Sequence, residues 1–491
     1  MACNRERLMN YRGRKKIYAK YDDITVENVA DAVTDAMSVH SANANDIQYL
    51  YDYYRGDQPV LYREKSIRED ILNTIVINRA YEIVNFKRGY LLTEAIQYIR
   101  NDRGQEFSDE IKALNDYMKR EGKETKDSVL AEWMYICGVG YRVALPKRWI
   151  GKKGVYHEEN ESPFEFYTLD PREVFVAYSK QVGNAPVFAC IKSNPAETDD
   201  DEDEYTVYTE TTIFSVKKGK VISAEDNPLG MIPVIEYPEN NSRLGSFEIV
   251  MTILDAINNA QSNRLDDIEQ QVQSLLVLIG VDLAVKDSEG NDVSTIESIR
   301  ENGGISLPEG TDAKFLSCPL TQGTADSFIK DLEQAWITIC GLPNRNGKNS
   351  TSDTGSAVYM RDGHAEAEVR AMNTESMWKQ SENKFLKVIL RIINQVQKFN
   401  ITADDIIPHF NRQNAINLQS KTQSFCELMN NGWTDLRDAL KFSGIAYDVE
   451  SAYENGMKWH DEQEQKQIEQ LQLSMQQSEH DDSDSEVDSD E

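Results

Sequence analysis

The sequence has few cysteines and no long apolar run. Its six cysteines are scattered singly, and no two have the Cys-x-x-Cys spacing of a zinc or redox motif. We therefore expect neither disulfides nor a metal site, and a reducing cytoplasm as the compartment. No apolar stretch approaches the roughly 20 residues that a membrane-spanning helix needs, and residues 1–16 lack the apolar segment of a signal peptide. We expect no association with a membrane.

Positive charge is also scarce. The chain of 491 residues carries 53 Lys and Arg against 83 Asp and Glu, a formal net charge of −30. Two acidic runs, 197–204 and 479–491, are expected to be solvated and mobile, the second as a disordered tail. Because proteins bind DNA mainly by placing Lys and Arg on phosphates, this chain is not built to hold DNA tightly. It could still let DNA slide past.

A nucleotide-binding motif is missing. The segment GLPNRNGKNS (341–350) places five residues between Gly341 and Gly347, where a P-loop has four. Asn349 also stands where that motif needs Ser or Thr. The segment follows a predicted helix, whereas a P-loop follows a strand. We expect no nucleotide cofactor.

Clusters for metal or acid–base chemistry are equally hard to find. The six histidines are far apart and none has the spacing of a metalloprotease helix. Asp266, Asp267 and Glu269 have the composition of a two-metal nuclease site. On a helix, however, Asp266 and Glu269 share a face and Asp267 points elsewhere. We interpret the three as a solvated helix face and expect no catalytic residue and no metal.

Apolar spacing predicts long helices around a β-rich segment. Residues 163–238 alternate aromatic and β-branched residues in short runs, which predicts a meander of antiparallel strands. From Val250 to Ile279 apolar positions recur with a period of about 3.6, so we predict one helix from Ser246 to Ile279, roughly 50 Å long. Further helices are predicted at 323–340, 356–399 and 418–477, with breaks at Gly432 and Gly444.

One stretch is similar to a known protein family. It contains a Gly-x-Ile-Pro-Val segment at 230–234, the pair Asn240 and Asn241, and a helix start of the form Ser-x-Glu-x-Val from Ser246. This stretch resembles the portal proteins of tailed bacteriophages, of the kind found in long-tailed phages of Gram-positive bacteria. One departure is Asp266, which stands where that family usually has asparagine.

Other segments resemble the same family in the same order. They are YYRGDQPV (53–60), IVINRAYEIVNFKRGYLL (75–92), SLPEGTDAKFL (306–316), GLPN (341–344) and HFNRQNAIN (409–417). No single motif is decisive, but the ordered set covers residues 45–465 and is fairly specific.

The resemblance implies an α+β portal fold and a ring of usually twelve subunits. The expected parts are an N-terminal polar segment (1–44), a wing (45–245), a stem helix (246–280), a clip (281–322), a second stem helix (323–340), a tunnel loop (341–355), a long wing helix (356–400), a helical crown (401–477) and a disordered acidic tail (478–491).

The resemblance also implies a function and partners. Such a ring sits at one capsid vertex, and double-stranded DNA passes through it during packaging and ejection, independently of sequence. The implied partners are the terminase large subunit, which supplies the ATPase motor, a head-completion or adaptor protein, and the major capsid and scaffolding proteins. The implied location is the virion, after assembly in the host bacterial cytoplasm.

Candidate channel residues are chosen by charge. The helix predicted from Ser246 carries five acids and one base, and acidic walls repel phosphates at close range. The candidates are Glu248, Asp255 and Glu269 as repelling carboxylates, Lys330, Arg345 and Lys348 as centring cations, and the tunnel loop residues Asn344, Arg345, Asn346, Gly347, Lys348, Asn349 and Ser350.

Two other classes of protein remain open. One is another structural or adaptor protein of the phage head. The other is a DNA-packaging nuclease or ATPase, which needs a Walker motif or a carboxylate cluster that the sequence does not display. Images of the purified protein would separate a ring with a central hole from either alternative.

Overall fold

A computed structural model describes most of the chain, namely residues 13–66, 69–101, 108–147, 161–193, 204–272, 275–279, 284–286, 292–294, 312–316, 322–343, 363–412, 415–432, 434–446 and 449–485. Its helices are α1 (Val29–Arg55), α2 (Arg79–Leu91), α3 (Ser108–Arg120), α4 (Lys123–Cys137), α5 (Met251–Val272), α6 (Gln322–Cys340), α7 (His364–Ile393), α8 (Ala415–Asn430), α9 (Leu436–Ser443) and α10 (Val449–Ser485).

The strands are β1 (Ile17–Tyr18), β2 (Gln97–Arg100), β3 (Val139–Pro146), β4 (Phe164–Leu169), β5 (Val174–Tyr178), β6 (Pro186–Lys192), β7 (Glu204–Tyr208), β8 (Thr212–Lys217), β9 (Lys220–Asp226), β10 (Val234–Pro238), β11 (Leu275–Ile279), β12 (Ala284–Lys286), β13 (Asp292–Ser294), β14 (Asp312–Leu316) and β15 (Ile406–His409).

The chain divides into two compact units. One, here called the hairpin unit, contains Asp52–Tyr81 and Ile249–Cys340. The other, here called the sheet unit, contains Tyr11–Tyr51, Glu82–Glu248 and Gly341–Glu491. Both mix helices and strands, which agrees with the predicted α+β class.

The sheet unit is built first on a six-stranded sheet in the order β1-β5-β6-β7-β8-β9. One face of this sheet packs against α1, because Val29 and Val33 of the helix share a core with Phe175, Phe188 and Phe214. The alternation of buried and partly exposed positions along β8 is that of a strand with one covered face. This core includes Ile17, Val29 and Val33 from the predicted N-terminal polar segment, so the described residues of that segment are part of the folded sheet unit.

A second sheet of three strands has the order β10-β3-β4. Every residue of β3 except Leu145 is buried, because α4 and α7 both pack onto this sheet. The β-rich segment is therefore antiparallel strands, as predicted, but not a single meander. Its first and last strands, β4 and β10, do not belong to the six-stranded sheet: both pair with β3, which precedes the segment in the chain.

The hairpin unit contains α5, a two-stranded ribbon of β11 and β14, and α6. The predicted helix from Ser246 to Ile279 was too long: a short 3-10 turn covers Glu248–Val250, α5 ends at Val272, and Leu275–Ile279 is a strand paired with Asp312–Leu316. The physical reason is the run LLVLI (275–279). Because all five residues are apolar, the run has no periodicity that could distinguish a helix from a strand. The second helix agrees with its predicted bounds to within one residue.

The C-terminal part is helical, as predicted. Gly432 and Gly444 both adopt positive φ angles at the helix breaks. The helix α10 continues to Ser485, so the prediction of disorder from residue 478 was wrong over the residues that the structure describes. No glycine or proline after Gly456 interrupts this helix.

Candidate functional site

The helices α5 and α6 form the helical pair of the hairpin unit. They pack against each other and are joined by an ion pair in which Arg264 Nη1 lies 2.7 Å from Asp326 Oδ1. Because β11 follows α5, β14 precedes α6, and these strands pair antiparallel, the chain leaves α5 and returns to α6 through one ribbon.

The polar face of α5 is buried against an extended segment of the same unit. We call residues 71–78 the strap, and the side chains of Asn258, Ser262 and Asp266 the ladder. The backbone N–H groups of Ile77, Ile75 and Asn73 donate to Asn258 Oδ1 at 2.8 Å, Ser262 Oγ at 2.9 Å and Asp266 Oδ1 at 2.7 Å. Asn258 and Ser262 are fully buried and Asp266 is 2% exposed. The ladder thus satisfies backbone donors that would otherwise be buried without partners.

The spacing of the ladder explains why it works. Its residues are four apart on the helix, a rise of about 6 Å, and the strap donors are two apart on extended chain, about 6.6 Å. The two repeats therefore nearly match over the two intervals between the three hydrogen bonds. The strap aims alternate N–H groups at one side, as a β-strand does. The helix face supplies the hydrogen-bond acceptors that a neighbouring β-strand would otherwise provide.

Asp266 is the charged end of the ladder. Besides Asn73 it binds the guanidinium of Arg63 and lies 2.5 Å from Lys65 Nζ. Burial alone would raise the pKa of this carboxyl, but the hydrogen bonds from Lys65, Asn73 and Arg63 outweigh it and hold the pKa at about 2. The interpretation of Asp266 as part of a solvated face was therefore wrong.

The other end of the ladder continues into a buried network. Asn258 Nδ2 donates to Gln58 Oε1 at 2.6 Å, and Gln58 Nε2 donates to the carbonyl oxygen of Tyr53 at 3.1 Å. The Tyr53 hydroxyl donates to Asp255 Oδ1 at 2.9 Å. Burial raises the pKa of Asp255 to about 6, because a single hydrogen bond from Tyr53 does not compensate for desolvation.

A tightly packed joint in the sheet unit precedes α5. Arg14 Nη2 lies 2.7 Å from Glu248 Oε1, and the Gly245 N–H donates to Glu248 Oε2 at 2.9 Å. Gly138 has a φ of +82°, and a Cβ there would lie 2.3 Å from the Arg243 carbonyl oxygen. Only glycine can fill that position, which allows residues 138 and 243 to approach closely within the sheet unit.

Glu239 belongs to the same joint. The Ser246 hydroxyl donates to Glu239 Oε1 at 2.5 Å, and Lys87 Nζ lies 3.6 Å from the same oxygen. The second carboxylate oxygen is buried with no hydrogen-bond partner among the described residues. Burial therefore raises the pKa of Glu239 to about 7, despite the nearby Lys87.

A buried charge cluster joins α7 to the rest of the sheet unit. The carboxylate of Glu382 accepts hydrogen bonds from the hydroxyls of Tyr98 at 2.6 Å and Tyr237 at 2.8 Å, and lies 3.0 Å from Lys123 Nζ. Arg142 lies fully buried beside it and binds Asp127. These cations and donors overcome the cost of burial and hold the pKa of Glu382 at about 2. The cluster is structural, because each of its carboxylates is paired with a cation.

The structure places the predicted channel residues in different environments. Glu248 is 5% exposed, so its assignment as a residue of a channel wall is corrected: it anchors the joint. Asp255 bonds Tyr53, and Glu269 Oε2 accepts from Asn73 Nδ2 at 2.7 Å. Lys330 is exposed on α6. The remaining candidates lie outside the described residues; they are Asn344, Arg345, Asn346, Gly347, Lys348, Asn349 and Ser350.

Apart from Leu265 and Ile268, the exposed positions of α5 are polar and nearly uncharged. Its exposed polar side chains are Thr252, Asn259, Asn263, Asp267 and Gln270. Of the five acids predicted to make an acidic wall, only Asp267 is exposed. The helix sequence contained the acids but did not show which ones the strap and the joint would cover.

Groups that could hold a metal ion are few among the described residues. Asp266 and Glu269 do share a face, as predicted, but Asp266 is already bound by two cations. On α10, the exposed side chains of His460, Asp461 and Glu464 have ligand atoms within 4.8 Å of one another. Exposed acidic groups are common without a metal, and nothing else marks this trio as a site.

Sequence reasoning missed the strap and its partners. Arg63, Lys65 and Asn73 carry no recognisable motif, and their distance in sequence from α5 hides the pairing. One signal was present: Asn258, Ser262 and Asp266 repeat at intervals of four, a polar stripe on a helix whose neighbouring stripe is apolar.

Comparison with known proteins identifies the family. The family model described as "Phage portal protein, SPP1 Gp6-like" matches residues 35–474. The chain therefore belongs to this family of phage portal proteins, which are structural proteins of the phage particle. The search of curated proteins finds no match.

Solved structures with similar chains include those of gene transfer agent particles. A chain in the neck of an empty gene transfer agent particle, computed with C6 symmetry, is 13% identical, with a TM-score of 0.42 over 75% of this chain and 90% of that one. A chain in the virion of a native gene transfer agent particle is 11% identical, with a TM-score of 0.42 over 82% and 94%. In the described part of the chain, no helix combines the length and hydropathy that crossing a membrane requires.

Proposed function

We propose that this portal protein assembles head to tail into a ring, usually of twelve copies, at one capsid vertex, and that double-stranded DNA enters and leaves through its central channel. The observation that carries the proposal is the family match over residues 35–474. The paired helices α5 and α6, joined through a ribbon, support it, since such a hairpin repeated around an axis encloses a bore.

We assign the parts of the ring as follows. The helices α5 and α6 are the stem, and the ribbon of β11 and β14 with β12 and β13 belongs to the clip. The two sheets with α1 to α4 make the wing, and α7 is the long wing helix. The helices α8, α9 and α10 are the crown. The segment 341–355 is the tunnel loop, whose Gly, Ser and Asn content suits a segment that moves as DNA passes.

The DNA-facing surface is proposed to be weakly interacting. DNA affinity depends on cations that neutralise phosphates, and the net charge of −30 opposes it. Lys330, Arg345 and Lys348 are the cations proposed to centre the duplex. Asp267 and Glu269 are the remaining candidates for repelling DNA phosphates. The exposed amide and hydroxyl side chains beside Asp267 exchange hydrogen bonds readily with water.

The proposed partners follow from this role. The terminase large subunit would dock on the clip and supply the energy for packaging, and a head-completion or adaptor protein would later replace it. The major capsid and scaffolding proteins would surround the ring during assembly in the host bacterial cytoplasm. No bond chemistry is assigned to the chain itself.

The test is the state of the purified full-length protein. Light scattering gives the mass of the assembly, and electron micrographs show its shape. We expect particles with rotational symmetry and a central hole wide enough for a DNA duplex. A protein that stays monomeric at concentrations well above those of the micrographs, or that forms closed particles without a hole, would overturn the proposal.

A further inference from the structure

Three cations gather beside β1, an edge strand of the six-stranded sheet. Lys16 directly precedes β1, Arg243 follows β10, and Lys384 lies exposed on α7. Burial lowers the pKa of Lys16, and the positive charges of Arg243 and Lys384 lower it further. Basic side chains from three distant parts of the chain therefore repel one another here, in a protein whose net charge is −30.

Glu236 is the carboxylate that faces these cations, and both of its oxygens are already bonded. Arg243 Nε donates to Glu236 Oε1 at 2.7 Å, and the Tyr178 hydroxyl donates to Glu236 Oε2 at 3.0 Å. In the described part of the chain, neither Lys16 nor Lys384 forms an ion pair. Three cations against one carboxylate leave a local excess of two positive charges.

Lys16 is held in place although it lacks an anionic partner. Its Nζ donates to Asn184 Oδ1 at 2.9 Å and lies 4.4 Å from the centroid of the Tyr178 ring. The Asn184 amide is itself fixed, because its Nδ2 donates to two backbone carbonyl oxygens of the same turn. Arg243 has a φ of +53°, a strained backbone conformation for a residue other than glycine. A fixed lysine beside a strained arginine is typical of a preorganised binding site, and the exposed Lys384 leaves it open to a ligand.

From this cluster we propose that Lys16, Arg243 and Lys384 bind a phosphate dianion. Ammonium and guanidinium groups bind phosphate oxygens through short, charge-assisted hydrogen bonds. A phosphate monoester carries a charge of about −1.5 to −2 near neutral pH, which matches the local excess. A carboxylate or a DNA phosphodiester carries a single negative charge and would leave part of the excess uncompensated. The ligand is therefore free phosphate or the monoester of a phosphorylated side chain.

Chemical labelling of the wild-type protein tests the site. An amine-reactive ester acylates exposed lysines, and mass spectrometry of the peptides gives the rate at each one. We expect phosphate at about pH 8 to slow the labelling of Lys16 and Lys384 at least about fivefold, because a bound anion keeps an ammonium protonated. Lys220, exposed on the opposite edge strand of the sheet, should be unaffected. Acetate at the same ionic strength controls for general screening.

Variants that remove one charge give the affinity. Calorimetric titration should show phosphate binding weakened at least about fivefold by Lys16→Gln and by Lys384→Gln, since each loses a charged donor. The matched control Lys220→Gln removes the same charge and should bind phosphate like the wild type. The labelling needs no variant, so it decides the matter even if Lys16→Gln does not fold.

A second ligand identifies the source of the phosphate. Tighter binding of O-phosphoserine than of inorganic phosphate assigns the site to a monoester, and equal or weaker binding assigns it to free phosphate. Three results would each overturn the assignment. They are an absence of saturable phosphate binding, protection of the lysines by acetate as strong as that by phosphate, and equal weakening of binding in Lys220→Gln.

Discussion

At the residue scale, the buried carboxylates fall into two groups with opposite pKa shifts. Asp266 and Glu382 are surrounded by cations and donors, and their pKa values are lowered to about 2. Glu239 is buried and Asp255 is partly buried, both with few partners, and desolvation raises the pKa of Asp255 to about 6 and that of Glu239 to about 7. The first group stabilises the fold above the unfolded pKa and loses that stability as the pH falls through about 4 to 2. The second group stabilises it at low pH and loses that stability as the pH rises through about 4 to 7.

Replacing Asp266 by Asn tests the charged end of the ladder. Asn keeps an oxygen for the backbone N–H of Asn73 but leaves Arg63 and Lys65 without their anion. Because both cations keep some solvent, we expect a loss of about 2 kcal/mol, less than for a fully buried pair. Denaturant unfolding measures it. The control Asp267→Asn, on the exposed side of α5, should change stability by less than about 0.5 kcal/mol. Equal losses in the two variants would contradict the role of the ion pairs.

Replacing Glu239 by Gln tests the raised pKa in the joint. The folded state favours the protonated carboxyl, so the free energy of unfolding should decrease between about pH 4.5 and pH 7 by on the order of 3 kcal/mol through this group. The variant Glu239→Gln is neutral throughout and should lack that part of the decrease. Melting temperatures on either side of this pH range provide the comparison, with Glu225→Gln on an exposed strand as the control. If the pH profile of E239Q runs parallel to that of the wild type, Glu239 does not titrate in this range.

At the scale of elements, the pairing of a helix with an extended strap is the main unexpected feature of the hairpin unit. It depends on a coincidence of two repeats, four residues of helix against two residues of strand, and on acceptors at each step. Helix periodicity in the sequence predicted the presence of α5 and α6 and the bounds of α6, but α5 begins later and ends earlier than predicted. Its end was missed because the run LLVLI suits a strand as well as a helix. That run became a strand through its partner Asp312–Leu316, far along the chain.

Hydrogen exchange tests the ladder directly. Asn258→Ala removes the acceptor of the Ile77 N–H and should accelerate exchange at that amide by at least about tenfold, since an unbonded backbone N–H is far less protected. The amide of Asn73, bonded to Asp266 at the other end, should change less. Asn259→Ala, which alters the adjacent exposed position, serves as the control. Uniform acceleration across residues 71–78 would mean that the strap opens as a whole rather than bond by bond.

At the scale of the whole molecule, charge and assembly decide how DNA is handled. The acidic balance predicted a protein that does not grip DNA, and most acids of α5 turned out to serve the fold. The surface proposed to face DNA is therefore closer to neutral than a wall of carboxylates. Its few cations should be responsible for whatever affinity the ring has.

The variant Lys330→Gln tests this at the level of the assembled ring. We expect DNA binding by the ring to be weak, and the variant to weaken it further. The slope of log K against log salt should become shallower by about 0.9 for each phosphate that the variant no longer neutralises. Fluorescence anisotropy at several salt concentrations measures both quantities. Lys180→Gln, an exposed lysine in the sheet unit, is the control. An unchanged salt dependence would remove Lys330 from the proposed DNA surface.

The family, the α+β class and the positions of most helices and strands can be read from the amino-acid sequence, because apolar periodicity and the ordered motifs are local properties of the chain. The burial of particular polar residues depends on the folded chain instead. Asp266 and Asp267 are adjacent and chemically identical, yet one is held by Arg63, Lys65 and Asn73 and the other is exposed. Their environments are set by segments nearly two hundred residues away, and no local pattern records such a contact.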